Sequence, residues 1–192
     1  MAKTRTFIAV EASDDVRDRA RLAIQRLRGA TDNVKWVLPE NLHWTLQFLG
    51  DIDDATMADV CRRVAATVID RPPFLLAGLG VGAFPKIQRP RTLWLGAAEG
   101  GDALCQLQAA IQRSLDDLGF RGERRRFVPH LTLGRVGRGS QGGSVLAERL
   151  AKLANFEGGA MTVDEVTVFA SELQREGPTY QVLSRAPLAT RG

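Results

Sequence analysis

Three observations predict an α+β fold of two small, mostly antiparallel sheets flanked by helices. Short strand-like runs alternate with only a few helical stretches, which suits antiparallel sheets better than one doubly wound parallel sheet. No GxGxxG or GxxxxGK[ST] segment joins a strand to a helix, so the parallel folds built around such loops have no support. Finally, the chain reads as one domain made of two similar halves, roughly residues 1–86 and 87–192.

The first half opens on Arg5-Thr-Phe-Ile-Ala-Val, an apolar β-rich run. From about Asp14 to Arg28 the residues Val16, Ala20, Ala23, Ile24 and Leu27 recur at helical spacing, so they form one apolar face. Ser13 can cap the start of this helix and Gly29 can end it. A short extended piece at Val34–Leu38 precedes a clear strand from Asn41 to Gly50. A helix over about Asp54–Ile69 and a strand over about Phe74–Ala83 complete the half. The second half repeats this order. Arg91-Thr-Leu-Trp-Leu-Gly echoes the opening strand, and a helix spans about Ala103–Leu118. His130-Leu-Thr-Leu-Gly follows, then a helix near Val145–Leu153 and a strand over Thr162–Ala170. Arg5 lies 38 residues before His43 and Arg91 lies 39 before His130, which points to an internal duplication.

The 192 residues are 44% hydrophobic and 25% charged, ordinary for a globular protein with one core. The apolar runs are too short to cross a bilayer as helices. Met1-Ala-Lys-Thr-Arg-Thr leads into the first strand without a signal-peptide pattern, so a cytoplasmic address is expected. Cys61 and Cys105 sit in helical segments without CxxC spacing and read as buried free thiols. The net charge of +4 permits a polyanionic partner. Arg121, Arg124, Arg125, Arg126, Arg135 and Arg138 crowd together, opposed only by Glu123. They are a solvated loop or a backbone-phosphate contact.

Only two histidines occur, and both stand in the frame His-x-Thr-Leu: His43-Trp-Thr-Leu and His130-Leu-Thr-Leu. Residues two apart on a strand share a face. His43, Thr45 and Gln47 are therefore expected on one face, with Trp44, Leu46 and Phe48 on the core side. In the second strand Leu131 and Leu133 go inward while His130, Thr132 and Gly134 face out. A single His-x-Thr on a strand is usually an ordinary surface pair. Two of them at matching places of a repeat, using every histidine in the chain, are not explained that way.

Two imidazoles and two hydroxyls facing one cleft suit displacement at a phosphodiester. Such a reaction needs a base on the entering oxygen and an acid on the leaving oxygen, on opposite sides of phosphorus. Histidine's ordinary pKa of about 6.5 allows one ring to be neutral and the other protonated. The threonine hydroxyls can donate to the non-bridging oxygens. A metal centre has too few clustered ligands, and a Ser-His-Asp hydrolase lacks its GxSxG turn. No cofactor is expected.

These motifs resemble those of the two-histidine phosphoesterase superfamily, and specifically its RNA 2′,3′-cyclic phosphodiesterases, historically called 2′-5′ RNA ligases. The resemblance runs through Arg5-Thr-Phe-Ile-Ala-Val, Trp36–Gly50, Gly82-Ala-Phe-Pro, Thr92-Leu-Trp-Leu-Gly, Phe127–Arg135, Ser171-Glu-Leu and Gly177-Pro-Thr-Tyr. It implies two lobes with the site between them and hydrolysis of cyclic phosphate ends of RNA to 2′-phosphomonoesters. His43 would be the general acid and His130 the general base, with Thr45 and Thr132 binding substrate. Arg135 matches a phosphate-contacting arginine, although simple alternation turns it toward the core, so the strand must end or bulge at Gly134. Phe84, next to Pro85, is a candidate for stacking on a base, with core packing as its alternative. Trp36 and Trp94 read as core and Tyr180 as structural. The expected partners are RNA or nucleotides with cyclic phosphate ends, with no membrane and no obligate protein partner. End-joining ligase activity and a non-catalytic RNA-end binding module are the rival readings.

Overall fold

The structure is a computed structural model that describes residues 3–31, 33–121, 126–137, 143–173 and 177–189. Nine strands and four α-helices are present among them: β1 (Thr4–Glu11), α1 (Asp14–Leu27), β2 (Val34–Trp36), β3 (His43–Ile52), α2 (Asp54–Val68), β4 (Phe74–Phe84), β5 (Thr92–Ala97), α3 (Gly101–Leu115), β6 (His130–Val136), α4 (Ser144–Lys152), β7 (Glu157–Val163), β8 (Glu165–Leu173) and β9 (Pro178–Pro187). None of the helices among the described residues is long and apolar enough to cross a membrane.

The first two helices begin as the sequence predicts. Ser13 accepts a hydrogen bond from the Val16 amide, which satisfies one of the free N–H groups at the start of α1. Asp53 does the same for α2 through the Thr56 amide at 2.8 Å. The buried face of α1 is Val16, Ala20, Ala23, Ile24 and Leu27, the face expected from its spacing. The helix expected to Leu118 leaves α geometry after Leu115 and finishes in a 3₁₀ turn.

All strand pairs are antiparallel, in the order β7-β4-β5-β6-β3-β1-β8-β9, with β2 laid on β6. The two motif strands β3 and β6 are central neighbours, and only Trp44 and Leu131 pair across their junction. This narrow seam divides the sheet into two lobes of α+β character, as expected. The order is palindromic in role: motif strand, opening strand, exchanged strand, edge strand. β4 leaves the first half of the chain to pair with β5, while β8 leaves the second half to pair with β1. Each lobe therefore contains strands from both halves.

One apolar core spans both lobes. Ile8, Val10, Trp44 and Leu46 join Leu93, Leu95, Leu131 and Leu133 and the inner faces of the helices in a single cluster. Apolar burial at about 25 cal/mol per Å² is the main favourable term holding that face down. The opposite face of β3 and β6 is left to form the cleft. Cys61 and Cys105 are free, but half-buried rather than buried as expected.

The strand expected over Thr162–Ala170 is two strands, because the chain turns between Val163 and Glu165. β9, bounded by prolines at both ends, carries no sequence prediction; Pro at a strand's ends is compatible with its place at the sheet edge.

Candidate active site

Each motif strand contains a bulge at the same place. Along the β1–β3 ladder Ala9 faces Thr45 and Ile8 faces Gln47, so Leu46 is the extra residue. Along β5–β6, Trp94 faces Thr132 and Leu93 faces Gly134, so Leu133 is the extra residue. A bulge inserts one unpaired residue and resets which side chains share a face. His and Thr stay on the cleft side, the following leucine goes inward, and the fifth residue after each histidine returns to the cleft. That residue is Phe48 in one strand and Arg135 in the other.

This corrects one expectation and satisfies another. Phe48 does not lie on the core side: it is 58% exposed, while Gln47, expected on the cleft face, lines the large cavity but is buried opposite Ile8 and donates to the Phe120 carbonyl. Simple alternation fails there because β3 bulges. Arg135 reaches the cleft by a bulge at Leu133, one residue before the position expected. Gly134 is needed beside it, since a Cβ there would lie 2.8 Å from the Trp36 ring laid across the strand.

The two imidazoles are held alike. His43 Nδ1 is 2.7 Å from the Asn41 carbonyl, and His130 Nδ1 is 2.8 Å from the Val128 carbonyl, each two residues upstream. A carbonyl only accepts, so in both rings Nδ1 carries the hydrogen and Nε2 is the nitrogen that can gain or lose a proton. A neutral ring then offers Nε2 as a base, and a protonated ring offers Nε2–H as an acid.

Their surroundings differ. His43 lies against Phe7 at 4.8 Å and edge-on to Tyr180 at 5.3 Å between ring centroids, with Phe169 stacked on Phe7. Burial in this cage lowers the His43 pKa to about 4. The positive charges of Arg135 and His130 act in the same direction, against the Asn41 carbonyl and Glu11. His130 meets Phe84 edge-on at 5.1 Å. Phe84 also packs on Trp94 at 5.0 Å, so the position expected to stack on a base has two relations: it lines the cleft and rests on its neighbour.

Two cavities flank the seam. A pocket of about 110 Å³ on the His43 side is lined by Lys35, Trp36, Leu38 and Tyr180 among others. A cavity of about 850 Å³ on the His130 side is lined by Phe84, Phe127, Val128 and the arginines 91, 121, 126 and 135. Thr45, Thr132, Phe48 and Arg135 line both. They form the stretch of wall common to the two cavities, with His130 lining the one and His43 the other. Among the described residues no Asp or Glu lines either cavity. Nor do any three of their His, Cys, Asp or Glu side chains converge as metal ligands. Arg124, Arg125 and Arg138 lie outside the described residues.

The sequence missed the His43 cage. Phe7, two residues from Ala9, lies on the histidine face of β1, and that alternation was the available signal. Tyr180, expected to be structural, forms one wall of the small pocket. Trp94, read as core, lies outside the core cluster: it is half-buried opposite Thr132 and packs under Phe84. Trp36 is partly buried against the core, as expected, and also lines the small pocket.

A palindromic antiparallel sheet with one His-x-Thr strand from each half at its centre defines a protein of the two-histidine phosphoesterase class. The chain belongs to the 2′-5′ RNA ligase superfamily, whose sequence profile matches residues 15–175. A protein of Methanothermobacter thermautotrophicus named RNA 2′,3′-cyclic phosphodiesterase is 38% identical over 93% of this chain and 95% of its own. One of the same name from Archaeoglobus fulgidus is 35% identical over 93% of this chain and 97% of its own. The fold matches a crystal structure of a Thermus thermophilus protein with a TM-score of 0.79 at 25% identity, covering 96% of this chain and 97% of the other. Escherichia coli LigT complexed with 3′-AMP matches with a TM-score of 0.76 at 24% identity, over 98% of this chain and 99% of the other.

Proposed function

We propose that this chain hydrolyses the 2′,3′-cyclic phosphate ends of RNA to 2′-phosphomonoesters, without a metal, by proton transfers at His43 and His130. The observation that carries this reading is the matched pair of Nδ1–carbonyl hydrogen bonds, which sets the same tautomer in both rings and makes Nε2 the proton-exchanging nitrogen of each. The superfamily membership and the names of the relatives support the substrate class.

In this mechanism the cyclic phosphate sits between Thr45, Thr132 and Arg135, which hold its non-bridging oxygens as negative charge gathers there. One neutral imidazole takes a proton from water as its oxygen bonds to phosphorus. The bond from phosphorus to O3′ breaks on the opposite side, and the other imidazole gives its proton to O3′. The two rings then exchange their protonation through solvent.

In the free protein burial keeps His43 neutral at pH 7, the state of a base. The acid role that resemblance gives it requires the bound phosphate anion to restore its proton; an adjacent negative charge acts in that direction. A cytoplasmic site of action and RNA as the partner belong to the same reading.

The test is product analysis with the four nucleoside 2′,3′-cyclic phosphates, with and without EDTA. The expected product is the 2′-phosphate at the same rate in both. A 3′-phosphate product, or a loss with EDTA that zinc or manganese restores, would overturn it.

A further inference from the structure

The two sides of the cleft are unequal in charge and size, and that inequality bears on what lies beyond the reacting phosphate. A nucleoside 2′,3′-cyclic phosphate carries one negative charge, which Arg135 and the two threonines can hold at the seam. The cavity on the His130 side adds Arg91, Arg121 and Arg126, all exposed, with no carboxylate among the described lining residues. Its volume of about 850 Å³ stands near the top of the ~300–1,000 Å³ range of small-molecule sites, whereas the His43 side offers about 110 Å³. The Arg91 guanidinium donates from Nη1 to the Gly137 carbonyl at 3.4 Å, and guanidinium suits phosphate oxygens by its forked donors.

We infer that Arg91, Arg121 and Arg126 form a second phosphate subsite, which holds the phosphate on the 5′ side of the cyclic-ended nucleotide. This rests on the phosphodiesterase reading above and extends it to the length of the substrate. The backbone of Arg91 is fixed on both sides: its amide donates to the Phe84 carbonyl at 2.7 Å, and its carbonyl accepts from the Val136 amide at 2.9 Å. The subsite is thereby anchored to the strands that carry Phe84 and Arg135. Gln108 and Gln112, hydrogen-bonded to each other at 3.1 Å on α3, line the same cavity with neutral amides that do not compete for the anion.

The experiment compares kcat/KM for three substrates: adenosine 2′,3′-cyclic phosphate, its 5′-phosphorylated form, and the dinucleotide ApA with a 2′,3′-cyclic phosphate end. One charge-assisted contact is worth about 10- to 100-fold, so the wild-type protein should favour the second or third substrate over the first by that ratio. Arg91→Gln and Arg126→Gln, each checked for an unchanged thermal midpoint, should bring the ratio toward one and flatten its salt dependence. Equal preference for the two longer substrates assigns a seat for a phosphate alone. Preference for the dinucleotide only assigns a seat for a phosphodiester with its nucleoside. A wild-type ratio of one, or a ratio that both folded variants preserve, overturns the subsite. Failure to turn over any of the three would instead refute the phosphodiesterase reading itself.

Discussion

The His43 and His130 sides of the cleft share one motif, one bulge and one way of holding the ring, yet they offer opposite environments. Around His43 the aromatic residues Phe7, Phe169 and Tyr180 strip the ring of water, and Tyr180 also walls the small pocket beside it. Around His130 the wall opens into a large cavity studded with arginine. At the fifth position after each histidine the same backbone geometry presents a phenyl ring in one case and a guanidinium in the other. The motif thus fixes where the imidazole nitrogen points, and the neighbours set its proton affinity and what it can meet. Two strands of one pattern can hold two imidazoles alike and still set them in unlike surroundings.

The largest expected effect removes the matched part of the comparison. His43→Ala and His130→Ala should each lower kcat by about 10²–10⁴-fold, with the double substitution losing less than the product of the two, since they act as a unit. Circular dichroism should show both variants folded, because the rings face the cleft and leave the apolar core intact. Next come the hydroxyls at the seam. Thr45→Val and Thr132→Val should each cost about 10²–10³-fold in kcat if they hold the developing charge. A loss confined to KM would mean that they bind the ground state only.

The cage around His43 sharpens the contrast through pH. Its folded pKa of about 4 lies below its ordinary value of 6.5, so the unfolded chain binds a proton first as pH falls. Stability contributed by the neutral ring is complete above pH 6.5 and is lost as pH falls from 6.5 toward about 4. Tm should therefore drop between about pH 7 and pH 5, and less so in His43→Phe, whose ring suits the same aromatic walls. Equal drops in both proteins would remove His43 from the account.

The smallest effect tests the bulge. Trp44→Ala, at a fully buried position, should cost about 3–5 kcal/mol in denaturant unfolding. Phe48→Ala, four residues on, should fall within about 0.5 kcal/mol because its ring is exposed. A large loss for Phe48 would return it to the core.

Much of this architecture was legible in the sequence because it rests on local rules. Helical spacing gave the buried face of α1, and alternation put Trp44, Leu131 and Leu133 inward and the histidines outward. Alternation failed at Gln47 and Phe48, since a bulge is a relation between two strands and leaves no mark on one of them. The exchange of β4 and β8 between lobes was equally invisible, being a matter of which edges meet. In β7, Gly158 and Gly159 dilute the strand signal, and β9 begins and ends on proline. The candidate site was more legible than the topology. Two histidines in one repeated frame already pointed to the residues that meet at the seam, while Phe7, Phe169 and Tyr180 come from three separate strands and meet around His43 only in the fold.

The central claim is that the two rings divide the acid and base roles of one reaction, and pH–rate profiles of kcat test it most directly. The wild-type profile should be bell-shaped. Replacing the general acid removes the limb that falls as pH rises, and replacing the general base removes the limb that falls as pH decreases. His43→Ala and His130→Ala should therefore each lose one limb, and different ones. A bell that survives in both variants, or near-wild-type turnover in either folded variant, would contradict the account.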